Sequence, residues 1–97
     1  KLPTKKEVFD SFVRDGEYVA DNYSELCMLY PDMHVAVYDG QVVGSNKNLR
    51  NLERDVRRHG YYKDILLEDG TYMYRKPRIV RTYFKEKRRT LILGKVA

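Results

Sequence analysis

Apolar residues recur at helical spacing through the first third of the chain: Val8, Phe9, Phe12 and Val13, then Tyr18, Val19, Tyr23, Leu26 and Leu29. Thr4, with Glu7 three residues on, forms a Thr-x-x-Glu capping box ahead of the first of them. Asp15-Gly16 is a candidate stop. The spacing therefore predicts helices near 5–14 and 17–29, or one helix interrupted at Gly16. Pro31 ends the run, because the residue before a proline avoids the α region.

The period then changes. Met33 to Ser45 holds two apolar runs around Asp39-Gly40, a strong two-residue hairpin signal. A two-residue loop sets Val37 opposite Val42, Ala36 opposite Val43 and Val35 opposite Gly44. Val35, Val37, Val42 and Gly44 then share the face expected to be core. Helical spacing returns with Leu49, Leu52 and Val56, capped by Ser45 or Asn46 and closed near Gly60. Glu53 and Arg57 are placed to form an i,i+4 pair. Ile65-Leu66-Leu67 is apolar on both faces, as in a central strand. Asp69-Gly70 turns it back through Thr71 to Arg75, with Leu66 opposite Met73 in a two-residue turn. Arg78 to Phe84 has the composition of an edge strand. The order α-α-β-β-α-β-β is that of an α+β domain. The expected architecture has two layers, with the helices on one face of a small, mainly antiparallel sheet.

Ninety-seven residues suit one domain that buries about 60–65% of its unfolded surface. With 42% hydrophobic and 34% charged residues, the chain reads as folded rather than disordered. No apolar run approaches the ~20 residues of a membrane span, and residues 1–6 are no signal-peptide core. A start at Lys1 rather than Met is compatible with residues upstream. Cys27 is the only cysteine, which favours a reducing, intracellular setting.

Charge changes the picture more. Residues 1–74 carry 10 Lys/Arg against 13 Asp/Glu, a net −3, whereas residues 75–97 carry 9 against Glu86 alone, a net +8. The expected organisation is a compact domain over 1–74 and a basic, strand-like extension over 75–97.

Several residues of the central region also form a familiar pattern. Asn22-Tyr23, Leu26, Tyr30-Pro31, Val35-Ala36-Val37, Asp39-Gly40, Val42-Val43-Gly44, Leu49, Leu52 and Gly60-Tyr61 resemble a family of small prokaryotic, mainly archaeal, domains of unknown function. Their mark is a V-A-V-x-D-G-x-V-V hairpin, and some members lie beside retropepsin-like aspartyl protease domains. The resemblance spans residues 20–68 and implies an archaeal or bacterial cytoplasmic protein. It brings no catalytic residue, and the basic extension departs from the family pattern.

Candidate chemistry is sparse. Cys27, His34 and His59 are isolated and lack metal-ligand spacing. Gly-x-Ser-x-Gly, phosphate loops and the Asp-Thr/Ser-Gly protease signature are absent from the sequence, so Asp39 reads as a turn residue. No cofactor and no catalytic residue are expected, and the chain reads as non-enzymatic. The candidate nucleic-acid contacts are Arg75, Lys76, Arg78, Arg81, Tyr83, Lys85, Lys87, Arg88 and Arg89. There, cations that neutralise phosphates interleave with aromatics that stack on bases. Arg54, Arg57 and Arg58 extend this patch if the second hairpin lies close. The expected partner is RNA or a ribonucleoprotein such as the ribosome. The alternative is a protein-interaction or oligomerisation module using Leu91, Ile92 and Leu93 or an open hairpin edge.

Overall fold

The computed structural model describes residues 1–84. The expectations that fall on 85–97 (Lys85, Lys87, Arg88, Arg89 and the Leu91-Ile92-Leu93 patch) lie outside the described residues. The elements are α1 (Lys5–Leu29), β1 (His34–Tyr38), β2 (Gln41–Asn46), α2 (Leu49–Arg58), β3 (Lys63–Leu66), β4 (Tyr72–Arg75) and β5 (Arg78–Arg81).

The Thr4 capping box forms as expected: the Thr4 hydroxyl accepts the Glu7 N–H, and the Glu7 carboxylate accepts the Thr4 N–H. The helix runs through Gly16 and breaks instead at Asn22, whose backbone leaves helical geometry (φ −119°, ψ 15°). Its side-chain amide bonds the Tyr18 carbonyl at 2.8 Å, satisfying a helical acceptor that the break would otherwise leave open.

Among the described residues all strand pairing is antiparallel, and the class is α+β. β2, β1 and β5 form one sheet in that order, while β3 and β4 form a separate two-stranded ribbon. The layering differs from the expectation of helices on one face. Val35 and Val37 of β1 pack with Val19 and Leu26 of α1, whereas Ala36 packs with Leu52 and Val56 of α2. Successive strand residues point to opposite faces, so the helices cover opposite sides of the three-stranded sheet.

The first hairpin turns at Asp39 (φ 52°) and Gly40 (φ 73°), the two left-handed positions of a type I′ turn. Its register departs from the expected one. Val37 does face Val42, but an extra residue at Val43 makes a bulge, so Ala36 faces Gly44 and Val35 faces Ser45. Gly44 thereby moves to the α2 face. A Cβ there would lie 3.0 Å from Leu52 Cδ1 and 3.1 Å from Val56 Cγ1, so the missing side chain lets helix and strand approach. β2 runs on through Asn46, which shifts the cap of α2 to Asn48, whose Oδ1 accepts the Asn51 N–H at 2.9 Å. Leu49 is left exposed.

The second hairpin closes with a three-residue loop, Glu68 to Gly70, flanked by a Leu67 N–H bond to the Thr71 carbonyl. Leu66 accordingly faces Tyr72 rather than Met73. The 65–67 run is not a central strand: β3 is half of the ribbon, Leu66 is exposed and Leu67 is buried beyond its end. β5 is an edge strand, paired with β1. Thr82, fully buried, accepts the Met33 N–H at 3.0 Å and donates to the Tyr30 carbonyl, tying the end of β5 to the α1–β1 connection. Residues 75–82 are therefore part of the folded body.

Candidate nucleic-acid interface

Each basic residue expected to contact nucleic acid has a distinct environment. Arg75 is 3% exposed. Its Nη2 bonds Asp15 Oδ2 at 2.9 Å and approaches Asp39 Oδ1 at 3.4 Å, and its Nε donates to Ser11 Oγ at 3.0 Å. Its Nη1 donates to the Lys76 carbonyl at 2.7 Å, and the guanidinium lies 4.1 Å from the Tyr38 ring centroid. Asp15, 1% exposed, also accepts the Gly40 N–H at 3.0 Å through Oδ1. This pair locks α1, the tip of the first hairpin and β4 together, so Arg75 has no free donor face to offer a ligand. Arg81 pairs with Asp32 and also donates to the Thr82 carbonyl. The Arg78 guanidinium lies 4.2 Å over Phe12 and against the backbone of Gly16, where an added Cβ would meet Nη2 at 2.7 Å. Its Nε is buried and has no hydrogen-bond partner among the described residues. Lys76 and Tyr83 are exposed.

A second basic surface stands on α2. Gly60, at φ 84°, follows the last turn, with its N–H on the Arg57 carbonyl and the Tyr61 N–H on the Val56 carbonyl. This is a Schellman cap, and a left-handed position here is cheapest for glycine. The cap aims the chain so that Tyr62 lies beneath Arg57, whose guanidinium is 4.4 Å from the ring centroid. The Tyr62 ring in turn lies 6.2 Å from that of Tyr74 on β4. Helix and ribbon are thus joined by an Arg57–Tyr62–Tyr74 series, flanked by the exposed side chains of Arg50, Arg54 and Arg58. Arg57 takes this position rather than the expected pairing with Glu53. Tyr72 and Tyr74 are two residues apart on one face of β4 and are 65% and 53% exposed.

Between α2 and the start of β5 lies an open groove of about 250 Å³, lined by Phe12, Glu53, Tyr62, Lys76, Arg78 and neighbouring Pro77 and Ile79. Glu53 is half-buried and makes no ion pair or hydrogen bond among the described residues. Burial raises the Tyr62 phenol above its usual pKa, reinforced by the Glu53 carboxylate and opposed by Arg57. On the far side of the sheet the balance reverses: α1 exposes Glu17, Asp21 and Glu25, four residues apart along one face.

Among the described residues no helix is long and apolar enough to cross a membrane. No group of three or more His, Cys, Asp or Glu side chains among them could hold a metal ion. Comparison with protein-family models, with curated proteins and with solved structures gives no match.

Proposed function

We propose that this protein is a non-catalytic RNA-binding domain, acting on RNA or a ribonucleoprotein in the cytoplasm. The observation that carries the reading is the Arg57–Tyr62–Tyr74 series, which sets an exposed arginine face beside exposed aromatic rings and the cations of the groove. Arginines on the outside of α2 neutralise phosphates, and tyrosines on β4 stack on unpaired bases. Lys76, the residue after β4, lines the groove. The contact surface of this reading is thus α2 and the ribbon, with the basic residues of 85–89 as further phosphate contacts. Arg75 serves the fold.

The test is fluorescence anisotropy of a labelled single-stranded RNA with the full chain over a range of salt. Affinity is expected to fall linearly on a log–log plot, with each phosphate contact removed lowering the slope by about 0.7. Arg54→Ala with Arg58→Ala is expected to weaken binding and flatten the slope, with the fold intact. Binding that ignores salt overturns the reading.

A protein partner is the second reading. It is favoured by Met28 and Leu29, exposed at the end of α1 close to where Thr82 leads into exposed Tyr83 and Phe84. Light scattering separates the two: a stable oligomer that Leu29→Asp dissolves, with no RNA affinity, supports the partner reading.

A further inference from the structure

Resting on the RNA-binding reading, we propose that the groove beside β5 takes one unpaired guanine base, with Glu53 reading its Watson–Crick edge. Glu53 is a half-buried residue whose carboxylate has no ion pair or hydrogen bond among the described residues and whose oxygens stay open to the groove, so they are free to accept from a ligand there. Glu53 lines a groove shared with two cations, two aromatic rings and the apolar Pro77 and Ile79. Such a groove calls for a flat ligand that offers donors on one edge and acceptors on another.

Guanine has this distribution. Its N1–H and N2 amino group form a donor pair that a carboxylate accepts in bidentate fashion, and its O6 and N7 are an acceptor pair of the kind Arg and Lys bind. Adenine and uracil present no such adjacent donor pair. Cytosine has a single exocyclic amine and no O6/N7 pair. Lys76 and Arg78 are the cations on the acceptor side; Arg78 already covers one face of Phe12 and Arg57 one face of Tyr62, so the base would stack on the remaining face of Tyr62. The volume points to the same scale. At about 250 Å³ the groove is smaller than sites that enclose a drug-sized ligand, roughly 300–1,000 Å³. It suits one ring system whose sugar and phosphate stay outside, toward Arg57. A base held there must be unpaired, because duplex pairing would occupy the edge Glu53 reads.

The experiment uses the full chain and labelled uridine octamers with one central guanosine, inosine, adenosine or cytidine, measured by anisotropy at fixed salt. The guanosine octamer is expected to bind about ten-fold more tightly than the adenosine one. Inosine, which lacks the 2-amino group, falls between them. Glu53→Ala is expected to bring the guanosine and adenosine octamers to equal affinity, whatever the change common to all octamers from the lost negative charge, with circular dichroism verifying the fold. The inosine arm needs no variant and stands if Glu53→Ala fails to fold. Equal, salt-dependent affinity for all octamers overturns the guanine inference and leaves the RNA-binding reading standing. A cytidine preference also overturns it. No binding at low salt overturns both.

Discussion

Asp15 sits among Val8, Phe12 and Val19 at helical spacing, so the apolar stripe of α1 carries a carboxylate at its centre. A charge on a buried stripe needs a cation, and Arg75 supplies it from 60 residues away. Removing one partner leaves the other buried and unpaired, at a cost of about 3–5 kcal/mol. Arg75→Met is therefore expected to lower unfolding free energy by that amount in urea denaturation. Asp15→Leu combined with Arg75→Met should cost much less than the two single changes added together. Gly16→Ala makes the opposite test. Helix propensity favours alanine by about 1 kcal/mol, and the atoms nearest the added methyl are those of the Arg78 guanidinium, the end of a flexible side chain. Stability is expected to hold or rise while Arg78 moves off Phe12. In the sequence Asp15, beside Gly16, reads as a helix stop, and its place on the apolar stripe shows only once the helix is seen to run through Gly16. Its partner was not legible, because the pair joins residues that only the tertiary fold brings together.

The strand and helix types followed from period and turn chemistry: the capping box, the Asp39-Gly40 turn and the Gly60 cap all stand where local rules put them. Register and layering did not. A bulge at Val43 adds one residue to one strand, and nothing in the alternation of Val42, Val43 and Gly44 marks it. Once it is present, Gly44 faces α2 and its lack of a side chain becomes a packing requirement. Gly44→Ala forces Leu52 and Val56 to give by a few tenths of an ångström. A loss of about 1–3 kcal/mol, typical of overpacking, is expected by thermal or urea unfolding. The site at this scale was half legible. Arg54, Arg57 and Arg58 were visible as a basic helix face, but the Tyr62–Tyr74 link depends on where the ribbon lies. Glu53 was hidden by its expected pairing with Arg57.

For the molecule as a whole, β5 and Thr82 complete the central sheet rather than trail from it. Truncation after Tyr74 removes Arg75, β5 and Thr82 together, and loss of cooperative unfolding by circular dichroism is the expected result. Truncation after Phe84 keeps all three and should leave the fold intact. The pH response belongs to the same scale. Burial raises the phenol pKa of Tyr23, Tyr38 and Tyr62 above the ordinary tyrosine value. Above about pH 10 the unfolded chain loses these protons before the folded one, so stability falls as pH rises through that range and is unaffected below it. Tyrosinate absorbance should accordingly titrate in two stages, with the later stage accompanying unfolding.

The two helices lie on opposite sides of a sheet one strand thick, and their charges oppose: α1 carries a net −3 and α2 a net +2. That separation gives the body a dipole across the sheet. Near a polyanion, such a body feels a torque before it feels a contact, and it turns its arginine side inward while still at a distance. Encounters would then begin pre-aligned, with the acidic helix left facing outward into the solvent.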